Sequence, residues 1–95
     1  MIERHVTFNV HPDRTEAFEG FYADRYAPTM AKAPGFIRVE LLREIDSATR
    51  YQMVLRFRNA EHAAGWRTSE VHQALQPELT ALFSTNEIQG YDVIA

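Results

Sequence analysis

Hydrophobic residues near the N-terminus alternate with polar ones, which is the pattern of a β-strand with one apolar face. Over residues 2–10, apolar and polar side chains fall on opposite sides of the chain: Ile2, Val6, Phe8 and Val10 against Glu3, His5, Thr7 and Asn9. Residues 36–42 and 50–57 also have strand-like patterns, and residues 87–94 are expected to form a fourth strand. The pattern therefore predicts four strands, of which the first and third each have a strongly apolar face.

An aromatic stripe with helical spacing follows the first strand and its turn. Its members are three or four residues apart along one face: Phe18, Phe21, Tyr22 and Tyr26. We expect this helix to end near Pro28, because proline disrupts the hydrogen bonds of a helix interior. Such a stripe is more typical of a hydrophobic core than of a ligand surface, although the hydroxyl group of Tyr22 or Tyr26 could point into a cavity.

Two short helices are predicted between the third and fourth strands. Asn59 is a favourable N-cap for the first, over about residues 60–67, and Thr68 or Ser69 can cap the second. Apolar residues recur in the second helix every three or four positions, at Val71, Leu75, Leu79 and Leu82. Pro77 lies inside this pattern and predicts a kink, because proline lacks an amide hydrogen.

The order of elements is strand, helix, strand, strand, helix pair, strand. This order predicts an α+β, ferredoxin-like βαββαβ sandwich, in which a four-stranded antiparallel sheet carries helices on one face. We expect one such domain over residues 1–95. Because the helices would leave the other face of the sheet uncovered, we also expect two copies to pair sheet to sheet as a homodimer.

Composition excludes several classes of function. The net charge of −3 argues against a nucleic-acid partner, because phosphate binding needs a basic surface. Hydrophobic residues at 45% and charged residues at 24% are typical of a globular protein and not of a membrane span. The chain has no cysteine, and no two histidines have the i, i+4 spacing of a helical metal site. The first residues lack the apolar core of a secretory signal, so a cytoplasmic protein is expected.

The most distinctive stretch is Trp66-Arg67-Thr68-Ser69-Glu70-Val71-His72, at the junction of the two short helices. Three further stretches accompany it: Phe8-Asn9-Val10, Ala33-Pro34-Gly35-Phe36, and Tyr51 to Phe57. On these residues the chain resembles the antibiotic biosynthesis monooxygenase family nearly from end to end. That resemblance implies a dimeric α+β barrel in which each subunit has a pocket between its own sheet and helices.

Known members of this family include oxygenases that convert phenols to quinones without metal or flavin, heme-degrading enzymes and quinol monooxygenases. The resemblance therefore implies a cofactor-independent monooxygenase acting on a small aromatic, phenolic or quinol-type compound with dioxygen. Such an enzyme needs an apolar pocket with a few polar groups that deprotonate and orient the ring.

Residue types and the resemblance together indicate two candidate catalytic residues, His72 and Asn9. His72 is one turn into its helix, near the positive N-terminal end, where a neutral imidazole is favoured. Its ordinary pKa of about 6.5 would suit proton transfer from a phenol. A partly exposed helix histidine is the alternative interpretation. Asn9 resembles by position a first-strand asparagine that enters the pocket of the heme-degrading members.

Four further residues are candidates for substrate binding: Trp66, His5, Tyr22 and Phe57. Trp66 can stack on a flat substrate or anchor the core, and both interpretations stay open. His5 shares the mixed face of the first strand with Asn9, where the alternative is a solvated or dimer-facing position.

Three positions depart from the family's pattern. Gln76 stands where the heme-degrading members have their ligand histidine, so we expect no cofactor, with heme left open. Met53 and Phe57 stand where the quinone-forming members have asparagine and tryptophan. Two other functions therefore remain possible on this fold. One is a non-catalytic module that binds a hydrophobic small molecule or only dimerises, and the other is an isomerase or decarboxylase of aromatic degradation.

Overall fold

The computed structural model describes residues 1–95 and contains one four-stranded sheet. Its strands are β1 (Ile2–Val10), β2 (Phe36–Arg43), β3 (Arg50–Phe57) and β4 (Phe83–Asp92). Its helices are α1 (Thr15–Phe21), α2 (Ala27–Met30), α3 (Ala60–Thr68) and α4 (Glu70–Thr80), with a π-helical turn at Tyr22–Tyr26. The strand order is β2-β3-β1-β4 with every neighbouring pair antiparallel, which confirms the predicted ferredoxin-like fold. None of the helices has the length and apolar character that crossing a membrane requires.

The pairing of the strands gives the sheet two chemically different faces. Val6 of β1 lies opposite Met53 of β3, and Phe8 lies opposite Tyr51; all four side chains are buried. We call this side, with the even-numbered residues of β1, the helix-covered face. Successive side chains of a strand point to opposite sides, so the odd-numbered residues of β1 lie on the other side, the open face.

The hydrophobic core lies between the helix-covered face and the helices. It is a cluster of 16 buried residues, of which Phe18, Phe57 and Met30 are the most completely buried large ones. The ring of Phe18 lies 5.2 Å from that of Phe8 and 5.0 Å from that of Tyr51. Each fully buried side chain of this size contributes about 1.5–3 kcal/mol to folding, so these contacts hold α1 against β1 and β3.

The first helical region is longer than the sequence indicated, because it continues through Pro28 to Met30. In the π-helical turn the amide of Ala27 donates to the carbonyl of Tyr22, five residues earlier. This wider turn restarts the hydrogen-bond ladder just before Pro28, which then occupies an early position of α2. A missing amide hydrogen costs little at such a position, since the first amides of a helix have no partner within it.

Two expectations for the last third of the chain are also corrected. β4 begins at Phe83 and ends at Asp92, so it starts before the predicted residues 87–94. After Phe83 its residues 84–86 are polar, and pairing with β1 as far as Val10 makes them part of a strand. Val71 does not share the apolar stripe of α4, because it is 54% exposed.

Gly35 brings the loop before β2 into direct contact with α3. Its φ of +77° lies in the left-handed region that favours glycine. A Cβ atom at this position would lie only 2.3 Å from Cγ of His62 in α3. The amide of Arg58 also donates to the Gly35 carbonyl at 2.8 Å. The backbone of the loop at Gly35 therefore packs directly against the side chain of His62. No residue larger than glycine fits at position 35 without a shift of that side chain.

The open face carries a network of charges centred on Glu3. Arg56 Nη2 donates to one carboxylate oxygen at 2.7 Å, and His5 Nε2 donates to the other at 2.7 Å. Arg38 lies 3.7 Å from the same carboxylate. The hydrogen bonds from His5 and Arg56 lower the pKa of Glu3 to about 2, so Glu3 is ionised at neutral pH.

Candidate active site

A cavity of about 230 Å³ lies between the helix-covered face of the sheet and the helices. Nine of its 14 lining residues are hydrophobic, and the other five are polar or basic: Arg4, Arg67, His72, Gln76 and Asn86. An apolar wall with a few polar groups is the usual composition of a small-molecule site. No cluster of three or more His, Cys, Asp or Glu side chains in the chain is arranged to hold a metal ion.

His72 is positioned by the cap that joins α3 to α4. The amide of His72 donates to Oγ of Ser69 at 3.2 Å, and the same hydroxyl donates to the carbonyl of Trp66 at 2.7 Å. Ser69, one of the two caps that the sequence allowed, is therefore the N-cap of α4, and Asn59 caps α3 in the same way. The cap sets where α4 begins and so brings the imidazole of His72 to the cavity.

The imidazole of His72 lies among two aromatic rings and one amide. Its centroid is 4.9 Å from that of Trp66 and 6.2 Å from that of Tyr26. Its Nε2 is 3.1 Å from Nε2 of Gln76. Because an amide nitrogen can only donate, this contact makes Nε2 of His72 the acceptor and assigns the ring proton to Nδ1. Nδ1 is buried and has no hydrogen-bond partner.

The surroundings of His72 favour the neutral imidazole. Burial lowers the pKa of His72, and the positive charges of Arg67 and Arg4 act in the same direction. The backbone of Arg67 acts in the opposite direction and raises the pKa of His72, although it forms no hydrogen bond with Nδ1. A neutral imidazole whose acceptor nitrogen exchanges its hydrogen bond with Gln76 for one with the ligand is the form that takes a proton from a bound acid.

Tyr26 and Trp66 form an aromatic wall beside His72. Their ring centroids are 5.8 Å apart and nearly perpendicular, at 81°. Burial raises the pKa of Tyr26 to about 12, although polar groups of Trp66 and Gln76 act slightly in the opposite direction. The Tyr26 hydroxyl therefore stays protonated and can donate a hydrogen bond. Trp66 belongs to the buried core and also lines the cavity, so the two interpretations offered for it are compatible.

Asn9 and His5 do not reach this cavity. Both have odd numbers in β1 and therefore lie on the open face, away from this cavity. Asn9 donates to Oγ1 of Thr85 at 2.7 Å and accepts from Arg50 at 3.3 Å. His5 is held by Glu3. Within one chain, neither residue can contact a molecule bound beside His72.

Tyr22 and Phe57 also lie outside the cavity. Tyr22 is partly buried and lines a separate groove near Tyr51, where burial and the charge of Glu40 raise its pKa. Phe57 has no exposed surface, and its ring packs 6.0 Å from that of Phe36. Phe57 is therefore a core residue and does not line this cavity.

Of the predicted site residues, the cavity contains only His72 and Trp66. Sequence reasoning missed Arg4, although this residue places a charge on the apolar side of β1 and that interruption is a usable signal. It also missed Phe83 and Asn86, which line the cavity from β4. No signal in the sequence could have found these two, because the predicted strand began after them.

Trp66 also borders a larger groove of about 550 Å³ between α3 and the segment that follows α2. Its other lining residues include Lys32, Glu61 and the exposed Val71. The smaller cavity is the better candidate active site, because it lies against the sheet and contains three groups whose pKa values are shifted by burial: Arg4, Tyr26 and His72. Titratable groups whose pKa values are shifted, and which lie in a mostly apolar cavity, are typical of functional sites.

Two solved structures show how closely the fold matches known proteins. SnoaB, a cofactor-independent oxygenase from Streptomyces nogalater, superposes with a TM-score of 0.81 at 24% identity over 99% of this chain and 93% of that chain. A protein from Nitrosomonas europaea that carries the name antibiotic biosynthesis monooxygenase superposes with a TM-score of 0.88 at 19% identity, over all of both chains. At these identities the likeness shows a shared fold.

Sequence comparison identifies the family. The profile of antibiotic biosynthesis monooxygenases matches residues 1–78, and no curated protein matches the chain significantly. The profile therefore covers both β1 and the Trp66 to His72 stretch that carried the resemblance. This chain belongs to the antibiotic biosynthesis monooxygenase family.

Proposed function

We propose that this protein is a cofactor-independent monooxygenase that oxidises a small phenolic or quinol-type compound with dioxygen beside His72. The observation that carries the proposal is a neutral imidazole with an acceptor nitrogen at the wall of an apolar cavity. Membership of the family supports an oxygenase. The cofactor independence of SnoaB, a structural relative, supports chemistry in which the substrate supplies the electrons.

The first step of this chemistry is loss of a proton from the substrate. Nε2 of His72 accepts that proton in place of the hydrogen bond from Gln76, so the Gln76 amide turns away from this nitrogen when the substrate binds. The protonated hydroxyl of Tyr26 can donate a hydrogen bond to an oxygen of the substrate. The electron-rich anion then passes an electron to dioxygen beside the apolar wall of the cavity.

The overall reaction balances without any other reductant. For a substrate with a methylene carbon opposite a phenolic or keto oxygen, one oxygen atom becomes the new carbonyl group of a quinone. The other oxygen atom leaves as water together with the two methylene hydrogens. All four electrons that dioxygen accepts come from that carbon. The cavity, at about 230 Å³, is smaller than the usual ligand pocket and favours flat compounds of at most three fused rings.

A non-catalytic binding module is the second candidate, because Met53 lines the cavity where the quinone-forming members have an asparagine. A binding module would hold the ligand against Trp66 without consuming oxygen. An isomerase or decarboxylase would convert a ligand without consuming oxygen. Oxygen uptake therefore separates all three functions.

We expect the purified protein to accelerate oxygen uptake by anthrone above the rate in buffer. With anthrone and ¹⁸O₂, one labelled atom is expected in the anthraquinone product. Added chelator should leave the rate unchanged. Conversion of a ligand without oxygen uptake would favour the isomerase or decarboxylase, and binding without conversion would favour the module.

We also infer that two copies pair through the open faces of their sheets. This face has no helix over it and exposes large apolar side chains such as Leu42 and Tyr91, which are 46% and 45% exposed. Burying such a face against a second copy removes apolar surface from water. Light scattering is expected to give twice the chain mass of 11.0 kDa. A monomer at micromolar concentration would contradict the pairing.

A further inference from the structure

Two arginines without a partner in the chain line the cavity beside His72. Arg4 and Arg67 form no side-chain hydrogen bond and none of the seven ion pairs in the structure. Five other arginines do form such ion pairs, all on the surface or the open face: Arg25, Arg38, Arg43, Arg50 and Arg56. The two basic groups at the cavity are therefore available to a ligand.

The charge of the cavity is opposite to that of the whole chain. Acidic residues outnumber basic ones by 13 to 10, yet none of the 14 residues that line the cavity is acidic. Arg4 is partly buried, and both burial and the neighbouring charge of Arg67 lower its pKa. Arg4, which is partly desolvated, is therefore repelled by the charge of the exposed Arg67, and an anion between the two groups would relieve that repulsion.

The strand pairing keeps Arg4 accessible from one side. Its neighbour in β4 is Gly90, which has no side chain to cover the guanidinium group. A Cβ atom built at Gly90 would meet nothing within 4 Å, so the space beside it is open. An anionic group could approach Arg4 through this space while the rest of the ligand occupies the apolar part of the cavity.

We propose that the ligand of this cavity is an aromatic carboxylate whose anionic group is bound by Arg4 and Arg67 together. Its ring would lie against Trp66 and Tyr26, within reach of His72. A guanidinium group matches a carboxylate in geometry and binds it through two parallel hydrogen bonds. This inference rests on the proposed function, because it takes the same cavity as the substrate site and narrows the substrate class to anionic aromatic compounds.

Three naphthalene compounds of nearly equal size test the inference by calorimetric titration. We expect naphthalene-2-carboxylate to bind about 10–100-fold more tightly than naphthalene-2-carboxamide or 2-naphthol, as charge-assisted hydrogen bonds would produce. Raising the salt concentration should reduce this preference. Equal affinity for the carboxylate and the amide, or no binding of the carboxylate, would overturn the inference. A preference for 2-naphthol would also overturn it, since the arginines would then serve a phenolate only.

Variants of the two arginines provide a second test. Arg4→Gln and Arg67→Gln are each expected to weaken carboxylate binding about 10-fold and to leave amide binding unchanged. The double variant should lose the preference altogether. Arg58→Gln, which changes an exposed arginine outside the cavity, should keep it. Unchanged amide binding shows that a variant still has a folded cavity, and loss of amide binding as well would contradict a specific role in anion recognition.

Failure of this inference differs from failure of the proposed function. Equal oxygen uptake with carboxylated and neutral phenols would overturn the anionic substrate class and leave the monooxygenase intact. A preference for the carboxylate without oxygen uptake from any phenol would support the anion site and count against the oxygenase.

Discussion

His72→Ala is expected to lower kcat/KM for oxygen uptake about 100-fold or more, because a positioned general base contributes roughly 10²–10⁴-fold to such a step. His72→Gln should be equally impaired, since an amide fills similar space but cannot accept a proton at neutral pH. The measurement is the initial rate of oxygen uptake at low substrate concentration. His62→Ala is the matched control, because this histidine is also partly buried but lies outside the cavity.

The pH dependence of kcat/KM tests the role of His72 independently. Only neutral His72 can accept the proton, so kcat/KM should rise with pH through the pKa of His72 and then level off. Burial places that pKa below the ordinary value of 6.5, so the activity should be lost only on the acid side of it. The acid limb should disappear in His72→Ala. If His72→Ala kept more than half of the activity and the same pH profile, His72 would be ruled out as the base.

Phe57→Ala is expected to lower the free energy of unfolding by about 3–5 kcal/mol, as for other fully buried phenylalanines. Phe57 has no exposed surface, so truncation leaves a void beneath the sheet. Many domains of this size have only about 5–15 kcal/mol of stability, so this loss is a large part of the total. Urea denaturation of the variant and the unchanged protein would measure the difference.

Phe83→Ala is the matched control for that experiment. Phe83 is partly buried and lines the cavity, so its truncation should cost less stability and weaken ligand binding more. Phe57→Leu, a milder change, should keep the chain folded and leave the affinity for naphthalene-2-carboxylate unchanged. A Phe57→Leu variant with normal stability and weakened binding would restore Phe57 to the substrate site.

The fold was largely predictable because its signals are local. Two of these signals depend on neighbouring residues only: the alternation of apolar and polar residues in β1 and β3, and the helix caps Asn59 and Ser69. The structure agrees with both. The extent of β4 was not predictable in this way. Residues 84–86, near its start, are polar, and hydrogen bonds to β1 from a distant part of the chain make them a strand.

The candidate site was less predictable, because it depends on which face of each strand the helices cover. A polar residue such as Asn9 resembles a pocket residue in sequence, yet the strand repeat puts it on the open face. Arg4 reaches the cavity from the apolar side of the same strand, where a charge was not expected. Family resemblance therefore located the junction at Trp66 and His72 but did not transfer the first-strand residue.

The sequence by itself determined the order of strands and helices, the family, and the presence of one histidine and one tryptophan at the junction of α3 and α4. Periodicity and capping are properties of short segments, and they can be recognised without the rest of the chain. Only the tertiary structure decided that Arg4, Arg67 and His72 share one cavity. Their proximity arises from packing α3 and α4 against a sheet whose strands are far apart in sequence, and no local pattern records that contact.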